Sequence, residues 1–190
     1  MEQLPEICKE PHMLPVYKKV IHRMRRWKAM QEQALLQTAQ PLLAWYPLHA
    51  RDLPWRHTQE PYRIWLSEIM LQQTRVEAVK NYYARFLETF PDIAALAAAE
   101  QDQVNKCWEG LGYYSRAANL RKAAQTIQEQ YGGVFPRTWE EVRGLAGVGD
   151  YTAGAVCSIC YGLPTPAVDG NVLRVAARVM NHFCEIDRPE

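Results

Sequence analysis

Two carboxylates in contrasting surroundings are the residues best placed for acid–base chemistry. Glu68 lies in WLSEIMLQQT (65–74), with Ile64, Trp65, Leu71 and Gln72 as its neighbours at helical spacing. Buried against them, its carboxyl would stay protonated near neutrality and serve as a general acid; at the surface it would be an ordinary glutamate. Asp169 lies in PAVDGNVLRVAAR (166–178), just before Gly170 at the expected start of a helix. Its simplest role there is an N-cap, worth about 1 kcal/mol without any catalysis.

A third feature is LAGVGDYTAG (145–154), where Gly147 and Gly149 lie between a short helix and a strongly apolar one. This reads as a helix–hairpin–helix turn. The two glycines are expected to take conformations closed to residues with side chains, so that successive amide N–H groups point outward at the start of the second helix. Such donors bind a phosphate without reading a base. A plain tight turn between packed helices is the alternative.

Helices must position these groups, because no segment shows sustained strand alternation. Apolar steps of three and four residues predict helices over Tyr62–Thr74 and Val76–Phe90, then Asp92–Ala99, Gln101–Trp108, Ser115–Tyr131 and Thr138–Arg143, followed by Thr152–Tyr161 and Gly170–Asn181. Connections such as Gly110-Leu111-Gly112 and Gly132-Gly133 separate them. A helical pattern also begins at Met30, with Leu35, Ala39, Leu42 or Leu43 and Tyr46 in register, and Pro41 is expected to break or restart it. A loop is expected from His49 to Pro61. Residues 1–29 carry Pro5, Pro11 and Pro15 and then a crowd of Lys and Arg, and read as an extension without an assigned role, most simply a solvated helical face. The expected class is all-α.

The 190 residues, 48% hydrophobic and 23% charged, exclude disorder and collagen and suffice for a core without disulfide or metal staples. Five scattered cysteines argue against a secreted disulfide framework and for a reducing compartment inside the cell. No apolar run reaches the ~18 residues of a membrane-spanning helix, so no membrane partner is expected. A net charge of +1 leaves nucleic acid open, because basic patches occur on balanced molecules and backbone donors carry no formal charge.

WLSEIMLQQT, WEGLGYYSRAANL (108–120), LAGVGDYTAGAV and AVDGNV together resemble the adenine DNA glycosylases of the helix–hairpin–helix superfamily, relatives of endonuclease III. The resemblance runs from about Gln33 to Asp187 and is carried by the order and spacing of the four motifs. It implies a helix–hairpin–helix glycosylase domain over 30–190, with a six-helix lobe at 61–161 and a partial second lobe from 30–60 and 162–190. The implied partner is duplex DNA with adenine opposite 8-oxoguanine or guanine, met by a monomer that hydrolyses the glycosidic bond. By the resemblance Glu68 protonates the adenine, Asp169 stabilises the cationic sugar, and Tyr151 and Asn171 assist in the same pocket. Tyr151 occupies the position of the lyase lysine of the endonuclease III branch, and without an amine no Schiff base forms there. Gln73, Leu111 and Tyr113 match wedge residues that fill the stack when a nucleotide is extruded. Thr74, Gly147, Gly149, Arg51, Trp55 and Arg56 match further DNA-binding positions. Ordinary aromatic packing is the alternative for Tyr113 and Tyr114.

The family also implies a [4Fe–4S] cluster, whose four-cysteine motif is absent from this sequence. Cys157 and Cys160 form a C-x-x-C inside an apolar helix and read as buried core thiols. Ala146 stands where the family's hairpin has proline, a minor change. The expectation is a fragment of a longer protein, with little turnover of its own. The competing functions are an endonuclease III-like glycosylase with lyase activity and a non-catalytic DNA-binding module.

Overall fold

Nine α-helices and one short 3₁₀ helix account for the regular structure in a computed structural model that describes residues 33–181; no strand occurs among them. Helix α1 covers 33–49. The 3₁₀ helix Pro54–Arg56 follows, then α2 (Pro61–Leu71), α3 (Val76–Thr89), α4 (Ile93–Ala98), α5 (Gln101–Trp108), α6 (Ser115–Gln130), α7 (Trp139–Arg143), α8 (Asp150–Tyr161) and α9 (Gly170–Val179). The sequence-based helices are found with ends shifted by a few residues, chiefly where caps intervene. The expected extension at 1–29, Cys8 and Cys184 lie outside the described residues.

Local chemistry fixes most starts. Pro61 opens α2 while the Glu60 carboxylate accepts from the Tyr62 and Arg63 amides at 3.0 and 2.9 Å. Asp92 caps α4 through the Ala95 amide at 2.7 Å, and Thr138 with Glu141 forms a reciprocal capping box on α7. Helix α8 differs, because Gly149 caps it without any side-chain acceptor, and it ends at Gly162 in the left-handed conformation.

The described residues divide into two units, 51–169 and 33–50 with 170–181. In the first, α2 packs on α3, α6 and α8, while α6 also covers α4 and α5. Trp65, Trp108, Tyr62, Phe86, Leu66 and Met70 are its largest fully buried side chains, with Phe86 edge-on to Trp108 at 6.0 Å between ring centroids. The unit extends beyond the 61–161 expected for the first lobe. Leu53 and Trp55 bury themselves in its core, and residues 162–169 run against α8.

Two expectations are corrected. Pro41 does not interrupt α1, which is continuous across it. The carbonyl deprived of a partner by the missing N–H belongs to Gln37, on an exposed stretch where water can satisfy it. The stretch from His49 to Pro61 is not all loop, since it holds the 3₁₀ turn. In the second unit, α1 exposes Leu36, Leu43 and Leu48, and α9 exposes Val172, Leu173 and Val175.

The Tyr62 hydroxyl donates to the Phe90 carbonyl at 2.7 Å inside the core, joining α2 to the end of α3. Tyr62→Phe should therefore cost about 1–2 kcal/mol by stranding that carbonyl, read as a lower urea midpoint at unchanged slope. An unchanged midpoint would contradict this packing account.

Candidate active site

Around Glu68, helix α2 buries Ile64, Trp65, Leu66, Ser67, Ile69 and Met70. Glu68 is thus the acidic residue on a helix whose other sides are taken up by the core, and it is itself mostly covered. Helix α8 packs against α2 and presents Tyr151 in its first turn. Burial raises the Glu68 pKa above the ordinary carboxylate value, a hydrogen bond from the Tyr151 hydroxyl partly offsets that rise, and the charge of Asp169 adds to it. The Tyr151 hydroxyl is pushed up to about 12 by burial, by the Glu68 and Asp169 charges and by its bond to Glu68. These three side chains share one electrostatic site. Asn171 lies in α9, in the other unit, and accepts from Arg174 at 3.2 Å.

Asp169 reaches the site because the chain after α8 folds back on that helix at Gly154. The Thr165 hydroxyl donates to the Gly154 carbonyl at 3.1 Å, and a Cβ on Gly154 would run into the Pro166 carbonyl. A side chain there would push away the loop that ends in Asp169. Sequence reading missed this role, although an isolated glycine inside an apolar helix is the available signal for close backbone approach.

The hairpin departs from expectation in one respect. Gly147 has φ +74° and sits against Asn119 of α6, so both conformation and space demand glycine. Gly149 has φ −95°, open to any residue, and no atom lies within 4 Å of where its Cβ would be. The fold itself does not require glycine at 149, which leaves a bare surface beside the uncapped first turn of α8. Arg143 braces the turn: its Nε pairs with Asp150 and its guanidinium donates to the Val148 carbonyl at 3.0 Å. Nothing in the sequence spacing pointed to Arg143.

The residues matched to the wedge separate. Gln73 and Tyr113 are exposed and have φ of +57° and +49°, conformations that non-glycine residues rarely adopt. Tyr113 stands 62% exposed. Leu111, expected beside them as apolar bulk for insertion, is 6% exposed and belongs to the core, so its side chain is not presented as a wedge. Trp55 is likewise buried, edge-on to Tyr83 at 5.4 Å, so its ring belongs to the core and is not presented at the surface. Arg51 and Arg56 are exposed, with Arg56 donating to the Arg51 carbonyl at 3.0 Å. Thr74 is half-buried behind Gln73.

A family model described as HhH-GPD superfamily base excision DNA repair protein matches residues 66–183, the span that holds Glu68, the hairpin and Asp169. The chain belongs to that superfamily. The human adenine DNA glycosylase is 48% identical over 147 residues, which cover 73% of this chain and 27% of the relative. The adenine DNA glycosylase of Buchnera aphidicola subsp. Baizongia pistaciae (strain Bp) is 42% identical over 140 residues, covering 73% and 40%. The chain thus spans about a quarter to two fifths of the length of these curated relatives. Among solved structures, a thermostable thymine-DNA glycosylase superposes with a TM-score of 0.71 at 30% identity, covering 76% of this chain and 67% of the other. A non-covalent endonuclease III–DNA complex shares the fold, with a TM-score of 0.70 at 24% identity, covering 84% and 72%.

The iron–sulfur cluster implied by the resemblance finds no cradle among the described residues, where no three or more of the His, Cys, Asp and Glu side chains are grouped to hold a metal ion. Cys157 is buried in the core, and burial raises the thiol pKa of both Cys157 and Cys160, the opposite of what a thiolate ligand needs. No helix among the described residues is long and apolar enough to cross a membrane.

Two outcomes test this geometry. A buried acid with a raised pKa contributes its full stability below the unfolded carboxylate pKa and loses it as pH rises through the folded value. Glu68→Gln should therefore melt higher than the parent at pH 8, by on the order of 2 °C, with the gap closing toward pH 4. Gly154→Ala should lower the melting temperature even though alanine is favoured over glycine by about 1 kcal/mol within a helix, because the Pro166 carbonyl must move. A rise in melting temperature would refute the close approach.

Proposed function

We propose that the chain carries the catalytic centre of an adenine DNA glycosylase, which hydrolyses the N-glycosidic bond of adenine placed opposite 8-oxoguanine or guanine in duplex DNA. The observation that carries this reading is Glu68: a mostly covered carboxylic acid whose pKa burial raises, in electrostatic contact with Tyr151 and Asp169. The identity with adenine DNA glycosylases supports the same substrate base.

Breaking a glycosidic bond to a purine needs a proton on the base and an anion near the sugar, since the transition state is oxocarbenium-like. Glu68 gives its proton to a ring nitrogen of the adenine. The electron pair of the bond between C1′ and the base leaves with the neutral adenine, and positive charge spreads over C1′ and the ring oxygen. The Asp169 carboxylate stabilises that charge until a water oxygen adds at C1′ and loses a proton, which passes through solvent to restore the Glu68 acid, leaving an abasic site. Two carboxyl groups can divide these roles because their environments differ. Tyr151 orients the Glu68 carboxyl through its hydroxyl and offers no amine for a covalent imine, so the reaction ends at hydrolysis.

The target nucleotide must leave the duplex to reach an acid held in this way. Gln73 and Tyr113 project from two neighbouring turns and fill the vacated stack, while the first-turn amides of α8 beside Gly149, which no side chain caps, take a backbone phosphate. Arg51 and Arg56 add exposed cations for the duplex.

The test is single-turnover release of adenine from a duplex bearing adenine opposite 8-oxoguanine, using protein from the whole reading frame that carries this chain. Glu68→Gln should slow release by about 10²–10⁴-fold, the usual worth of a positioned general acid. In the parent the rate should fall on an alkaline limb whose midpoint lies above the ordinary carboxylate range, and the variant should lack that limb. Undiminished release by the variant removes Glu68 from the mechanism, and a borohydride-trapped adduct through the hairpin would replace hydrolysis with lyase chemistry.

A further inference from the structure

Arg116, the second residue of α6, is 8% exposed, yet its charge faces no carboxylate in its hydrogen bonds. One terminal nitrogen donates to the carbonyls of Ile69, Met70 and Gln72 at 2.9, 3.0 and 2.7 Å. The other donates to the Thr74 hydroxyl at 3.2 Å and to the carbonyls of Leu111 and Gly112 at 3.1 and 3.2 Å. All six acceptors are uncharged oxygens. Those at the end of α2 lie at the negative pole of that helix, which is how a buried cation is tolerated without an acid. The guanidinium also lies 5.3 Å from the ring centroid of Trp108 and 5.5 Å from that of Tyr113.

These partners come from two turns far apart in sequence. The first, after α2, carries Gln73; the second, between α5 and α6, carries Tyr113. Both residues have positive φ, shared among the described non-glycine residues only by Asn181. A backbone in that region relaxes unless its surroundings hold it. One planar side chain supplies the hold on both sides, gripping residues 72 and 74 around Gln73 and residues 111 and 112 before Tyr113.

We propose that Arg116 is a positioning residue that locks Gln73 and Tyr113 into one rigid wedge for nucleotide extrusion. The proposal deepens the glycosylase reading and rests on it for the DNA. A wedge that must find its conformation while entering the stack gives up ordering entropy at that moment; a clamped one has already done so. Lysine cannot reproduce the clamp, because an ammonium offers three donors from a single point in place of a planar fork.

The experiment uses the whole chain as parent, Arg116→Lys, which retains the cation and most of the stem, and Arg116→Met. Amide hydrogen exchange without DNA should accelerate by about tenfold or more at residues 73–74 and 112–113 in Arg116→Lys, with α3 and α4 as in the parent. With a duplex holding 2-aminopurine opposite guanine, the fluorescence rise that reports unstacking should fall by about fivefold or more. Affinity for an unmodified duplex, held at the hairpin, should change by less than about twofold. Parent-like exchange at both turns in Arg116→Lys would overturn the clamp. Loss of unstacking and of unmodified-duplex affinity by the same factor in both variants would overturn the wedge role, because general loosening predicts that pattern. Should the parent give no 2-aminopurine signal at all, the wedge role falls with the glycosylase reading, and the exchange rates still decide the clamp.

Discussion

The structure turns on a carboxyl group held between two helices, where burial raises its pKa above the ordinary carboxylate value. Glu68 occupies a helix whose neighbouring positions are nearly all spent on the core, so its carboxyl is mostly covered, unlike that of a surface glutamate. Tyr151 approaches from α8 and supplies a hydroxyl, which stabilises the anion somewhat and thereby limits how far the pKa rises. The two influences oppose each other, burial raising the pKa and the hydrogen bond limiting the rise, which is the kind of balance a general acid requires.

Three pieces of backbone architecture keep that acid supplied with partners. Packing of α2 on α8 sets the distance to Tyr151. The missing side chain of Gly154 lets the return loop lie on α8 and deliver Asp169. The brace from Arg143 to Asp150 and Val148 fixes the hairpin at the start of the same helix. Helix α8 therefore joins a surface suited to phosphate, through its uncapped first turn, to the acid–base centre, through Tyr151 and Gly154. Around the far end of α2, the buried guanidinium of Arg116 has the corresponding organising place.

Burial also sorts the residues that motif reading groups together. Leu111 and Tyr113 stand two apart in one glycine-rich turn, yet one is core and the other is exposed, because the turn rolls over between them. Trp55 sits in a loop that reads as a DNA-facing segment, but its ring completes a cluster with Tyr83. The large apolar body of tryptophan gains more from that cluster than from solvent. The two hairpin glycines divide as well, one required by conformation and the other leaving an open surface.

The sequence alone determined the helical class, the order and approximate ends of the helices in the first unit, the hairpin, and the candidacy of Glu68, Tyr151 and Asp169. All of these depend on periodicity, capping chemistry or short motifs, which are local and therefore legible in a linear string. It misjudged Pro41, because whether a helix survives a proline depends on what satisfies the orphaned carbonyl. Tertiary structure alone decided that Glu68 is mostly covered, that the loop after α8 closes at Gly154, that Leu111 and Trp55 turn inward, and that Arg116 ties residues 69–74 to 111–112. Each of these is a contact between segments distant along the chain, where solvent exclusion and close packing set the outcome and no spacing in the sequence records it.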